Sequence, residues 1–93
     1  MAIKSFKHKG LKNYFENGVK SGIHIAHINK IQRILDRLNA AGEVKDMNAP
    51  GYDFHPLKGN FAGYYSVHVN GNWTIIFQFE NGDAKNVSLI DYH

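Results

Sequence analysis

The chain ends in Asp91-Tyr92-His93, an acid, a phenol and an imidazole placed after a run from Val87 to Ile90 that alternates apolar and polar residues. On a strand, Asp91 and His93 share a face with Cα atoms roughly 6.5–7 Å apart, and Tyr92 points to the other side. A carboxylate beside an imidazole, together with the terminal carboxylate of the same residue, makes the ring hold its proton more tightly. Such a ring is a proton donor near neutral pH. Chain ends fray unless they are tied down, so this chemistry requires the last strand to be paired on at least one edge.

A second group is His55-Pro56-Leu57-Lys58-Gly59. Pro56 holds His55 extended and stiffens the end of a strand, so that His55 and Lys58 flank the turn that follows. An imidazole that moves protons and an ammonium that stabilises negative charge suit phosphate chemistry. The other histidines point to less. His24 and His27, at i and i+3, have no acid or further histidine to complete a metal site, and HExxH and cysteine are both absent, so no metal is expected. His68 lies mid-strand with Ser66 and Asn70 on its side, where a groove would expose it, and His8 is placed at the surface. P-loop, GxGxxG and GxSxG patterns are absent.

The elements that must position these groups follow from periodicity. Ile3–Lys7 alternates imperfectly and predicts a short first strand. Leu11, Tyr14 and Phe15 predict a short helix stopped by Asn17-Gly18. Ile28, Ile31, Ile34, Leu35, Leu38 and Ala41 form the apolar stripe of a second helix, capped by Ser21 and ended by Gly42, with Lys30, Arg33 and Arg37 as a basic stripe on its other side. Residues 42–51 read as a loop closed by Pro50-Gly51. Beyond it the period becomes two, and Tyr52–Lys58, Tyr64–Val69, Trp73–Phe79 and Ala84–Ile90 are strand candidates. Asn70-Gly71 and Asn81-Gly82 are hairpin signals, because both turn positions accept φ > 0. The expected architecture is α+β, in the order β-α-α-β-β-β-β, with both helices on one face of a curved antiparallel sheet. Trp73, Ile75, Phe77 and Phe79 would line its core side with Tyr65, Val67 and Val69.

Ninety-three residues with 43% hydrophobic content make one domain, residues 1–93, with one modest core. The start lacks the apolar stretch of a signal peptide, no run is long enough to span a bilayer, and there is no cysteine. A soluble, cytoplasmic protein is expected. Eight of the eleven cations lie in residues 1–37 against only Glu16 and Asp36. That asymmetry suits either a polyanionic partner or a solvated lysine surface.

"FKHKGLK", "DMN", "PG", "HPLKG", "GYYSVHVNGNW", "FQFENGDA" and the closing "DYH" resemble, in this order and across essentially the whole chain, the HigB toxins of bacterial toxin–antitoxin operons. These are the plasmid maintenance killer proteins, a branch of the RelE/ParE superfamily. The resemblance implies a toxin that cleaves mRNA in the ribosomal A site and is neutralised by a cognate HigA-like helix-turn-helix antitoxin, with the ribosome and mRNA as further partners. It implies an active-site cluster of His55, Lys58, Asp91, Tyr92 and His93. Without a metal, such a cluster would direct the ribose 2′-hydroxyl at the adjacent phosphate and release the 5′-oxygen. His93 and His55 would exchange protons, either one being the base. Lys58 would stabilise phosphate charge, Tyr92 would stack on a base or share proton transfer, and Asp91 would position the terminal histidine. Lys30, Arg33 and Arg37, with Lys7, Lys9 and Lys12, would contact ribosomal RNA backbone.

The resemblance is imperfect. Family members commonly carry arginine immediately after the tryptophan of the NGNW strand, where this chain has Thr74, and tryptophan where it has Tyr65. Threonine has no charge for a phosphate, and in the carboxy-terminal half only Lys58 and the more distant Lys85 remain as cations of the sheet. A toxin homologue that binds antitoxin or ribosome without cleaving is therefore the alternative, and a gyrase inhibitor is a third reading.

Overall fold

His8 begins the first helix by accepting the Leu11 N–H on its Nδ1 at 3.0 Å, which satisfies one of the orphan donors of the first turn. The computed structural model describes residues 2–91 of the chain. Helix α1, Lys9–Asn17, buries Leu11 and Tyr14 and ends at Gly18, whose φ of 72° supplies the left-handed cap that Asn17-Gly18 predicts. Tyr14 hydroxyl donates to Gln32 Oε1 and so ties α1 to the second helix.

That second helix, α2, runs from Ile28 to Ala40, six residues later than a Ser21 cap would start it. The reason is the close approach of two glycines. A Cβ on Gly10 would stand 2.6 Å from Gly22 O, so residues 20–23 press against the start of α1 and turn there to bury Ile23. His24 then caps a 3-10 turn, Ile25–His27, by accepting the Ala26 N–H on Nδ1 at 3.2 Å. Ile28, Ile31, Ile34, Leu35 and Leu38 form the buried face of α2, as their spacing predicts. Its cap is Ala41, one residue before Gly42. The following loop contains a 3-10 turn, Val44–Met47, where Asp46 Oδ2 accepts the Gly42 and Glu43 N–H groups at 2.9 and 3.1 Å. Those two bonds, Glu43's first, hold the Asp46 carboxyl below the usual carboxylate range.

Four antiparallel strands, β1 (His55–Pro56), β2 (Tyr65–Asn70), β3 (Trp73–Glu80) and β4 (Asp83–Asp91), lie side by side in chain order. The strand expected over Tyr52–Lys58 shrinks to two residues. Asp53 at φ 47° breaks the extended run before it, and Pro56 has no N–H to extend the ladder. The predicted first strand also differs. Ile3 and Phe6 make two isolated parallel bridges, to Ala84 and Val87, because the ladder is interrupted where Asn86 takes φ 53° and donates its N–H to Ser5 Oγ at 2.9 Å. Even so, Lys4 N–H on Ala84 O and Lys7 N–H on Val87 O, at 2.7 and 2.8 Å, cover the outer edge of β4. The last strand is thus paired on both sides between Ala84 and Val87, and on its β3 side as far as Asp91.

The hairpin at Asn81-Gly82 has both residues at positive φ, 55° and 83°, as predicted. The other shifts by one residue: Asn70 pairs with Trp73, and Gly71 at φ 59° is the first of two turn residues. Val67, Val69, Ile75, Phe77, Val87 and Leu89 meet the helices in one buried cluster. Trp73 and Phe79, expected in that layer, stand at its two ends. Trp73 begins its strand at the hairpin, where His27 covers it with ring centroids 6.4 Å apart and leaves it 40% exposed.

The His8 cap has a pH consequence. Accepting the Leu11 N–H requires an unprotonated Nδ1, and partial burial pushes the imidazole's pKa down, outweighing a main-chain bond that raises it. The unfolded chain therefore binds more protons, so this contribution is complete above about pH 6.5 and is lost as pH falls through the lower folded value. Thermal unfolding of the wild-type chain should lose more Tm between neutral and mildly acidic pH than His8→Asn, which caps without titrating. Parallel Tm profiles would refute it.

Candidate active site

On the sheet face away from the helices, Asp53, His55, Ser66, His68, Gly71 and Thr74 line a cavity of about 200 Å³. Alternation builds it. With Val67, Val69 and Ile75 turned to the helices, Ser66, His68 and Thr74 must face the other way, and the register sets Ser66 opposite His55 and His68 opposite Thr74.

His55 is held at both nitrogens. Its Nδ1 lies 2.9 Å from Asp53 O, and since a carbonyl only accepts, Nδ1 carries the hydrogen. Nε2 is then a bare lone pair facing the Ser66 hydroxyl at 3.3 Å. Ser66 is 1% exposed and also lies 3.4 Å from His55 O, so its hydroxyl can donate there when the ring donates to it. Both protonation states of the imidazole are thus accommodated, as proton transfer requires. The left-handed backbone of Asp53 aims that carbonyl, and buried Leu57, with its N–H on Tyr64 O at 2.8 Å, anchors the strand's exit.

His68 donates its main-chain N–H to Tyr52 O at 2.7 Å, and its ring Nε2 lies 2.8 Å from Gly71 O. Thr74, 8% exposed, donates its hydroxyl to Asn72 O at 3.3 Å. The described wall holds no lysine or arginine.

The residues singled out from the sequence are distributed unevenly about this cavity. His55 lines it. Lys58 is exposed at the start of a 3-10 turn, Gly59–Phe61, and is not part of the described wall. Asp91 ends β4 opposite Trp73, hence on Trp73's side of the sheet, whereas neighbouring Ile90, opposite Thr74, shares the cavity's side. Tyr92 and His93 lie outside the described residues. Lys85 is paired with Glu80 at 2.6 Å.

The basic stripe is partly engaged as well. Lys30 Nζ donates to Gly51 O at 3.0 Å and Arg37 Nε to Asp46 O at 2.7 Å, with the Arg37 guanidinium 6.0 Å from the Tyr52 ring centroid. These two side chains fasten the loop that delivers Tyr52 and Asp53 to the cavity, while Arg33 is exposed. Lys7 lies over the Tyr64 ring at 5.6 Å, and Lys9 and Lys12 line a shallow surface hollow with Asn13, Glu16 and Asn17. Two wall residues carry a partial signal in the sequence: Ser66 lies two before His68, on its face, while only the register shows Thr74 opposite it. Asp53 gave none, because its part is played by a main-chain carbonyl.

The family model described as RelE-like toxin of type II toxin-antitoxin system HigB matches residues 4–93. A Proteus vulgaris protein named endoribonuclease HigB is 48% identical over 91 residues, 98% of this chain and 99% of its own. Toxin HigB-1 of Vibrio cholerae is 35% identical over 91 residues, 96% of this chain and 95% of its own. Among solved structures, a point mutant of YafQ from E. coli superposes with a TM-score of 0.58 at 21% identity, covering 94% of this chain and 88% of that one. The YoeB-YefM complex from Staphylococcus aureus provides a chain with a TM-score of 0.53 at 23% identity, covering 100% of this chain and 99% of that one. At these identities the two superpositions speak for the fold.

Proposed function

This chain belongs to the HigB-like family, RelE-like toxins of type II toxin–antitoxin systems, and from that premise we propose that it is an endoribonuclease that cleaves mRNA in the ribosomal A site. The observation that supports this reading best is His55 itself, with Nδ1–H on Asp53 O and a bare Nε2 against Ser66, on the wall of an open cavity. That is the arrangement of a general base or acid in either half of 2′-hydroxyl attack and 5′-oxygen release. His93 is its proposed proton-transfer partner, with Lys58, Asp91 and Tyr92 in the roles given above. Exposed Arg33 and the amino-terminal lysines are the proposed contacts to RNA backbone.

As a type II toxin the protein has an antitoxin for a partner; we assign it a HigA-like helix-turn-helix protein. Among the described residues no helix is long and apolar enough to cross a membrane, and action on ribosomes sets the place of work in the cytoplasm. The reading as a non-cleaving homologue has one observation in its favour, a cavity wall without lysine or arginine.

Controlled expression in a bacterial host separates the readings. Cleavage gives growth arrest with cuts confined to translated messages, abolished by His93→Ala. Growth without arrest and with intact mRNA would overturn it in favour of the binding homologue, and DNA damage with intact mRNA in favour of gyrase inhibition.

A further inference from the structure

An RNA phosphate is anionic, and its charge crowds further as five oxygens gather on phosphorus, so a cleaving site needs positive charge within reach. The described wall offers two imidazoles, one carboxylate and the hydroxyls of Ser66 and Thr74. His55 is already engaged at both nitrogens. His68 is engaged at one. Its Nε2 faces Gly71 O at 2.8 Å and must carry the hydrogen, because a carbonyl only accepts. Its Nδ1 makes no hydrogen bond among the described residues, so that nitrogen can take up a proton and turn the ring into a cation without disturbing the Gly71 bond.

The position is equally specific. The β2–β3 register sets His68 directly opposite Thr74, and both residues line the cavity that His55 lines. Thr74 is neutral, and its hydroxyl is occupied by Asn72 O. We propose that His68, as an imidazolium, shares with Lys58 the task of holding the scissile phosphate's charge in this chain, across the strand pair from the uncharged Thr74. The proposal rests on the ribonuclease reading and gives its site a substrate contact.

Among the described residues the titratable groups facing His68 are few. His55 from β1 opposes the imidazolium when itself protonated, and Asp53 from the preceding loop favours it. From β3 the facing residue is Thr74, and Tyr52 supplies only a main-chain carbonyl.

The test measures cleavage of translated mRNA, with ribosomes and the full chain, from about pH 5.5 to about 9, where imidazole changes charge. His68→Ala should lower the rate about 10²–10³-fold, the scale of losing one charge-stabilising donor. His68→Lys should restore most of it and make the decline on the alkaline side shallower, since an ammonium stays charged there while the His55–His93 pair still needs one protonated member. Adding Thr74→Arg to His68→Ala should recover at least about tenfold, because the register sets residue 74 opposite residue 68 on the same wall. Separately, the wild-type ring is followed by nitrogen NMR as a 2′-O-methyl trinucleotide, which cannot be cleaved, is added. The expected result is a shift of the His68 signals to the imidazolium pattern at a pH where the free ring is neutral. Wild-type rate and pH profile in His68→Ala, or ring signals that ignore the trinucleotide, would overturn the proposal. A wild-type chain that never cleaves defeats the ribonuclease reading instead, and the NMR arm still decides His68.

Discussion

Replacing His55 by alanine should cut the rate of mRNA cleavage by about 10²–10⁴-fold, the usual worth of a positioned general acid or base, and leave stability within about 0.5 kcal/mol of wild type. The second half of that expectation is what makes the first informative. His55 is exposed and its partners survive its loss: Asp53 O can turn to water, and the buried Ser66 hydroxyl keeps the residue-55 carbonyl, 3.4 Å away, as an acceptor. No cavity opens in the core, because the side chain lies on the sheet face away from the helices. Activity per folded molecule on ribosomes programmed with mRNA, beside a thermal melt, reads both quantities. An unchanged rate with an unchanged melt would remove His55 from the chemistry.

The contrast with the other candidates shows what can be read from a sequence of this kind. Strong, regular signals carried through. The apolar stripe of α2, the Asn81-Gly82 turn and the alternation that buries Val67, Val69 and Ile75 are local patterns, and local patterns survive folding. The extended backbone of His55 is local in the same way, since the Pro beside it restricts it.

What was hidden is what depends on non-local contact. No periodicity announces that Gly10 and Gly22 approach until no side chain fits between them, and that approach delays α2 until Ile28. Nor does any show that Lys30 and Arg37, which read as a solvent-facing stripe, are spent on the carbonyls of Gly51 and Asp46. The same is true of Asp91. Alternation alone pairs it with His93, while only the register with Trp73 reveals which side of the sheet it takes. Main-chain groups such as Asp53 O have no sequence signature at all.

The largest effect on folding is expected at Phe77. It is 0% exposed in the middle of β3, paired with Tyr65, whose ring lies 5.9 Å away, and it belongs to the cluster that holds Ile31, Leu35, Val67 and Val87. Truncation to alanine removes the ring and leaves a hole between sheet and helices that a rigid strand cannot close, a loss of about 3–5 kcal/mol. For a domain of this size, whose whole stability is on the order of 5–15 kcal/mol, that is a large fraction. Urea denaturation should show the midpoint falling with the slope preserved, which marks lost stability and not a changed denatured state. Phe77→Leu, which refills most of the volume, should lose much less. In cells Phe77→Ala should relieve toxicity by lowering the folded population, so the activity of the folded fraction stays near wild type, the reverse of His55→Ala. A loss below about 1 kcal/mol would mean that the sheet can collapse onto α2 without the ring, contrary to the close packing of such interiors.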